Sequence, residues 1–423
     1  MIDELLKLAN SKNIKIEVFV DEDITTSIET MNDKLEKYES SSTNSYRIKA
    51  LYNNKIVTIN TEDISSPETI INNIIDFTNA LDKEEDTTFA CNIDIRNNSK
   101  EKEDKDYKKI INDLISLNKY KEKYPNIENI NMYYTDKYNK ISIVNKDVEL
   151  IDTSNINYIY GEIVWKEEGI NQTGWFNLIS LKYDFSKIEE KFIETIKDVE
   201  AKIKAVSCKT NKYNVIIKNE QVFKILNRYK DMYDAEQIRN NLSPLTKDYN
   251  KKIFSDKITI VEDPTNNNLV GTRLFDMEGN ATYYKELVKD GKFITKLYDN
   301  KNAIIEGKKP TGTSGGVRNM YIVPGSDSYE DLIKKMNNGI IIDSLEGLHA
   351  GANVITGELS LQATGYEVIN GKISKSLKLI IMQTALKELF NNVICVGNDL
   401  EMFSVTGGSP SILFDNITIV GKE

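Results

Sequence analysis

The run GLHAGANVITGELSLQATGYEVINGKI, residues Gly347–Ile373, sets the character of the C-terminal half: glycines punctuate it every few residues. Nearly all the recurring glycines of the chain lie beyond Gly271, between short β-rich runs such as KITIVED, FITKLY, GIIIDSL, VICVGN and NITIVG. That texture predicts a turn-rich β domain over residues 209–423. One helix is expected inside it, from Glu220 to about Gln237, with Phe223, Leu226, Tyr229 and Tyr233 on a single core-facing stripe.

Upstream the pattern is mixed. Residues 1–82 read as a small α+β unit: a helix from Asp3 to Asn10, the strand IKIEVFV, a charged stretch, the antiparallel pair SYRIKALY and KIVTINT around Asn53-Asn54, and a helix from about Ser66 to Leu81. Residues 83–106 carry DKEEDTT and NNSKEKEDKD, too polar to bury much, and are expected to be a charged linker. Residues 107–208 form a second α+β unit, with a helix from Tyr107 to Tyr124, the β segments NINMYYTD, KISIVN, VELIDT and NYIYGEIVWKEEG, and a helix from about Phe185 to Ala205. The expected fold class is α+β, an amino-terminal α/β half of two small subdomains followed by a β-rich carboxy-terminal domain.

Composition narrows the function. A net charge of −10 argues against a phosphate-tracking surface, so no direct nucleic-acid partner is expected. No stretch approaches a membrane span, and the start lacks a signal-peptide pattern, so a cytoplasmic protein is expected. Cys91, Cys208 and Cys395 are scattered and odd in number, which indicates reduced thiols rather than a disulfide framework or a cysteine zinc cluster. The single histidine, His349, rules out a multi-histidine metal site within one chain.

The Gly347–Ile373 run resembles the C-terminal signature of the TldD/PmbA (TldD/TldE) metallopeptidase family, in which a glycine-punctuated loop precedes T-G-x-x-S and a G-Y/F-x-x-x-N/D-G-K/E turn. Further family-like pieces follow in order: ITIVEDP ending at Pro264, LFDMEGN at Leu274–Asn280, DGKF at Asp290–Phe293, GTSGGVRNM at Gly312–Met320, VGNDLE at Val396–Glu401 and GGSPSILFDNITIVG ending at Gly421. The resemblance implies a two-component peptidase in which one subunit, TldD-like, holds a metal through an H-E-x-x-x-H helix and a later cysteine, while a TldE/PmbA-like subunit lacks them. The motif positions fall here near Asn227, Arg228 and Met232, and the cysteine position at Val396, none of them a zinc ligand. The expectation is therefore a subunit with no catalytic residues and no cofactor of its own. Zinc is expected only in a TldD-like partner, with which the chain forms a heterodimer; alone it would be a homodimer. Unfolded peptide is the expected substrate, and Gly347, His349, Gly351, Asn353, Thr356, Gly357 and Ser360 are the candidate cavity residues. The alternative is a homodimeric peptide-binding or scaffold protein without catalysis, matching the older family description as a modulator of DNA gyrase.

Simpler roles stand beside these. His349 reads as a hydrogen-bonded loop residue, because no acid or nucleophile is identifiable beside it. Cys395, one residue before the family's cysteine position, should face away from that site on a strand and belong to the core. The glycines of GTSGGV and GANVITGELS could cradle an anion or peptide carboxylate, although tight turns and bulges at a domain or subunit contact are the stronger explanation. Arg273, Asp276 and Glu278 read as a structural salt-bridge group. Ser360 and Ser409 lack the elbow of a serine hydrolase.

Overall fold

A computed structural model describes residues 1–82, 87–91, 95 and 97–422. Helix α1 (Ile2–Ser11) leads into strands β1 (Lys15–Met31), β2 (Lys34–Tyr52) and β3 (Lys55–Thr61), followed by α2 (Pro67–Ala80). Then come α3 (Tyr107–Ser116), α4 (Tyr120–Lys123), β4 (Ile127–Asn145), β5 (Glu149–Glu167), β6 (Ile170–Ser180) and α5 (Phe185–Ile203). The six strands form one antiparallel sheet in the order β3-β2-β1-β4-β5-β6, so the units on either side of residues 83–106 contribute three strands each to a shared sheet.

These strands are much longer than the alternation in the sequence suggested. The charged stretch after IKIEVFV is the outer part of the β1–β2 hairpin, where β2 is exposed along Lys34–Ser45. Solvent on both faces removes the apolar alternation that marks a strand. The expected pair around Asn53-Asn54 is a two-residue hairpin with both asparagines left-handed, φ 49° and 58°. NINMYYTD and KISIVN are one strand, β4, whose polar middle is buried: Asp136 is 0% exposed.

That burial explains the charged segment. Residues 83–86, 92–94 and 96 lie outside the described residues, but the remainder is laid against the sheet. Lys105 Nζ reaches both Asp136 and Asn157, and Tyr107 Oη donates to Asp136 Oδ2 at 2.7 Å. Nearer its start, Ala90 N donates to Glu17 Oε2 at 2.5 Å, and Lys49 pairs with the same carboxylate at 3.1 Å. The lysines expected in a solvated linker thus supply counter-charge to a carboxylate buried under them.

The C-terminal unit is β-rich, as expected, and holds two sheets. Strands β7 (Asn211–Ile217), β12 (Gly339–Glu346), β13 (Glu358–Ile369), β14 (Lys372–Ala385), β15 (Val393–Val396) and β18 (Ile412–Val420) make one, in the order β14-β13-β12-β7-β18-β15. A further pairing of β14 with β18, Ile381–Gln383 against Thr418–Val420, closes it into a barrel. Strands β8 (Ile260–Glu262), β9 (Lys285–Lys289), β10 (Lys292–Phe293), β11 (Met320–Ile322), β16 (Glu401–Ser404) and β17 (Gly407–Ser409) make the other. Between them lies the main apolar core, including Ile217, Leu226, Phe254, Ile342, Leu361 and Phe414. The single helix expected over Glu220–Gln237 is broken into α6 (Asn219–Arg228), a 3-10 turn (Lys230–Tyr233) and α7 (Ala235–Arg239), the last started by Asp234, whose side chain accepts from Glu236 N and Gln237 N. Tyr229, Met232 and Tyr233 remain buried together across the break.

Helix α5 joins the two halves through ions. Lys202 and Lys218 meet Asp343 at 2.7 and 2.5 Å, and Tyr366 Oη donates to Asp198 at 2.6 Å. Burial pushes the Asp343 carboxyl up, but the two ammonium groups outweigh it and hold it below the usual carboxylate range. Asp343→Asn should leave Lys202 without its partner and Lys218 with only Asp198, 4.0 Å away, and destabilise the chain by about 3 kcal/mol, read as a fall in urea midpoint. Because the folded pKa is depressed, the wild-type advantage should be complete above the unfolded value near pH ~4 and fade as pH falls through the folded one. An unchanged difference between the two proteins from pH 7 to pH 2 would refute this assignment.

Candidate functional site

The glycine loop follows β12. Gly347, left-handed at φ 76°, starts a single helical turn, Leu348–Gly351, closed by Gly351 N donating to its carbonyl at 2.8 Å. A side chain at Gly351 would place Cβ 2.2 Å from the Ser360 carbonyl oxygen, so this position requires glycine. Asn353 then organises the turn: its Oδ1 accepts from Ile355 N and Thr356 N at 3.0 and 3.1 Å, and its backbone N–H donates to Glu358 O at 2.9 Å. Gly357, φ 84°, returns the chain to β13, and Thr356 Oγ1 donates to Glu358 Oε2 at 3.2 Å. His349, Asn353, Thr356 and Ser360 are all exposed.

The end of α6 packs directly under this loop. Arg228 Nε donates to Leu348 O at 3.3 Å. The Tyr229 hydroxyl lies 3.3 Å from both Asn353 O and Glu358 O, bracketing the turn. Burial pushes this phenol up to about 12. Tyr229 lies on the expected core stripe, but its loop contact was missed; the signal was the choice of tyrosine over phenylalanine, since a buried phenol needs a partner. Asn227 accepts from Thr406 Oγ1 at 3.0 Å, and Met232 is buried in the main core.

The structure therefore brings Arg228 to the loop residues, sets Asn227 against Thr406 and leaves Met232 inside. Val396 also belongs to the main core, whereas Cys395 packs with Leu332, Met336 and Ile341 in a separate cluster on the other face of its strand. The imidazole of His349 makes no hydrogen bond among the described residues. Arg273, Asp276 and Glu278 do not form the expected mutual salt bridge. Asp276 instead accepts from the backbone N–H groups of Glu278, Asn280 and Ser314, Glu278 accepts from Asn300 N, and Arg273 turns to Asn139 and Asp152. Ser409 is fully buried with its hydroxyl on Pro410 O. Among the described residues no cluster of His, Cys, Asp or Glu could hold a metal ion, and no helix is long and apolar enough to cross a membrane.

Chemically, the loop offers exposed polar side chains on a base whose backbone groups are largely bonded within the chain. No nucleophile hydrogen-bonded to a base is found in it among the described residues.

Residues 210–421, half of the chain, match the family model described as the PmbA/TldA metallopeptidase C-terminal domain. The chain is 24% identical to the metalloprotease PmbA homolog of Buchnera aphidicola over 95% of its own length and 92% of the relative's. It is 34% identical to metalloprotease PmbA of Escherichia coli over 41% of this chain and 38% of that one. Its fold is that of a candidate modulator of a DNA gyrase from Thermotoga maritima, with a TM-score of 0.88, 24% identity and 99% of each chain covered. TldE from Thermococcus kodakarensis superposes with a TM-score of 0.83 at 18% identity, covering 99% of this chain and 100% of that one.

Tyr229→Phe should leave the fold intact and lower stability by about 1 kcal/mol. Hydrogen exchange should quicken selectively over residues 347–358, and uniform exchange across the chain would show that the hydroxyl does not hold the loop.

Proposed function

This chain belongs to the PmbA/TldD metallopeptidase family, and we propose that within it the chain is the subunit without metal, which grips unfolded peptide while a TldD-like partner cuts it. The observation that carries this reading is the state of the α6 end. The Asn227 oxygen already accepts from Thr406, and the Arg228 guanidinium is a fixed cation tied to Leu348 O beneath the glycine loop. Met232, a soft thioether, is 4% exposed in the core. These groups do not fit zinc, and the one histidine of the chain, His349, cannot supply a ligand set. No step of hydrolysis is assigned to this chain; water activation belongs to the partner's metal.

The chain's own part is to hold substrate. The exposed polar side chains of His349, Thr356 and Ser360 can hydrogen-bond to the backbone of an extended peptide, whatever its sequence. A cytoplasmic heterodimer is the working assembly under this proposal, with a homodimer as the resting form.

The test is hydrolysis of an unfolded peptide by the purified chain with added zinc, then again with an H-E-x-x-x-H paralogue from the same cell. Activity is expected only in the mixture and should vanish with a chelator; cleavage by the chain alone would overturn the assignment. Gly351→Ala, which drives the loop away from the Ser360 carbonyl, should reduce cleavage by the mixture on the order of tenfold or more. Full activity in that variant would remove the loop from the site.

A further inference from the structure

The GTSGG turn and two arginines enclose a second feature that the glycine loop does not explain. Where the first sheet meets the C-terminal unit there is a cavity of ≈ 90 Å³, lined by Arg273, Arg318, Asp21, Asp276, Ser314 and the turn glycines. At roughly 30 Å³ per water it has room for about three, or for one carboxylate with its first carbon.

Two arginines and two acids, Asp21 and Asp276, line it, but the hydrogen-bonding capacity of the guanidinium groups is incompletely used. Arg273 is 8% exposed; its Nη2 donates to Asn139, while Nη1 stands 4.0 Å from Asp152 and has no hydrogen-bond partner. The Arg318 guanidinium makes no hydrogen bond or ion pair among the described residues. Burial, and then repulsion from Arg273, bring its pKa down to about 10, which leaves it charged at neutral pH. The acids around it have donors of their own. Asp21 accepts from Asn139 Nδ2, Asp152 from Leu274 N and Asn98 Nδ2, and Asp276 from Glu278, Asn280 and Ser314.

The turn adds backbone donors. Gly312, Gly315 and Gly316 have φ of 67°, 92° and 102°, and a Cβ at Gly312 or Gly315 would lie 2.3 Å from Ala281 O or Met277 Sδ. The N–H groups of Thr313 and Gly315 have no partner among the described residues. The Ser314 N–H between them is taken by Asp276 Oδ2 at 3.0 Å, so the turn offers separate donors rather than a continuous run. The Arg318 guanidinium, with no acid in ion-pair range among the described residues, lines the same space, and its fork matches a carboxylate bidentately.

We propose that this cavity is a carboxylate-binding site, with Arg318 as its fork, Arg273 as the second cation and the Gly315 N–H as a backbone donor. Two sources share that chemistry: a free small carboxylate, and the C-terminal carboxylate of a peptide. The second deepens the peptide-gripping function and rests on it; the site itself does not.

The experiment is calorimetric titration of the full chain, at constant ionic strength, with acetate and with one N-acetylated tetrapeptide as free acid and as amide. Wild type, Arg318→Gln and Arg318→Lys are compared, with circular dichroism and thermal melting to verify that each variant is folded. The acid should bind at least tenfold tighter than the amide to wild type. Arg318→Gln should erase the difference, and Arg318→Lys, a point charge without the fork, should restore part of it. Arg318-dependent acetate binding without a preference for the peptide acid would assign the site to free small carboxylates. Absence of any Arg318-dependent binding of acetate or acid would overturn the proposal. Equal binding of acid and amide without acetate binding would do the same, while leaving the peptide-gripping role standing.

Discussion

A charge removed from water must be met by an opposite charge or by several hydrogen bonds, because the cost of burying it alone is several kcal/mol. That constraint organises this molecule. Asp136, buried in the middle of β4, fixes the 97–106 segment over the first sheet through Lys105 and Tyr107. Asp343, between Lys202 and Lys218, clamps α5 to the barrel. Glu262, 1% exposed, pairs with Lys285 at 2.7 Å inside the second C-terminal sheet and also accepts from Arg318 N. Each pair joins elements that apolar packing alone would bring together without fixing their register.

Seen this way, the two sites differ in kind. At the end of α6 the polar groups are satisfied within the chain: Asn227 by Thr406, Arg228 by Leu348 O, Tyr229 by the carbonyls of the glycine turn. Such a place is a rigid support, and the loop above it is shaped by the support. Beside the GTSGG turn the balance is left open, with the Arg318 guanidinium unmatched among the described residues. Rigidity at the first place and an open balance at the second are what holding a substrate and selecting one of its groups would each require.

The family and the β-rich C-terminal half were legible from Gly347–Ile373 because glycines at left-handed or crowded positions leave a mark that no other residue can replace. The core stripe that begins on α6 was legible for a similar reason: Phe223 and Leu226 on the helix, and Tyr229 and Tyr233 just beyond it, are all buried. Misread were the long strands of the first sheet and the charged segment. Periodicity records only which residues meet water, and the polar middle of β4 is buried under lysines from elsewhere in the chain.

What the sequence by itself determined was therefore local: turn positions, the apolar stripe of α6, the count of one histidine, and the order of motifs that places the chain in its family. What only the tertiary structure decided was which distant groups share a space. The contact of Arg228 with Leu348 spans 120 residues, that of Tyr229 with Asn353 spans 124, and Arg273 meets Asn139 across 134. Hydrogen bonds and ion pairs act over a few ångströms and carry no trace in the spacing of residues that far apart, so the site could be located only once the chain had folded.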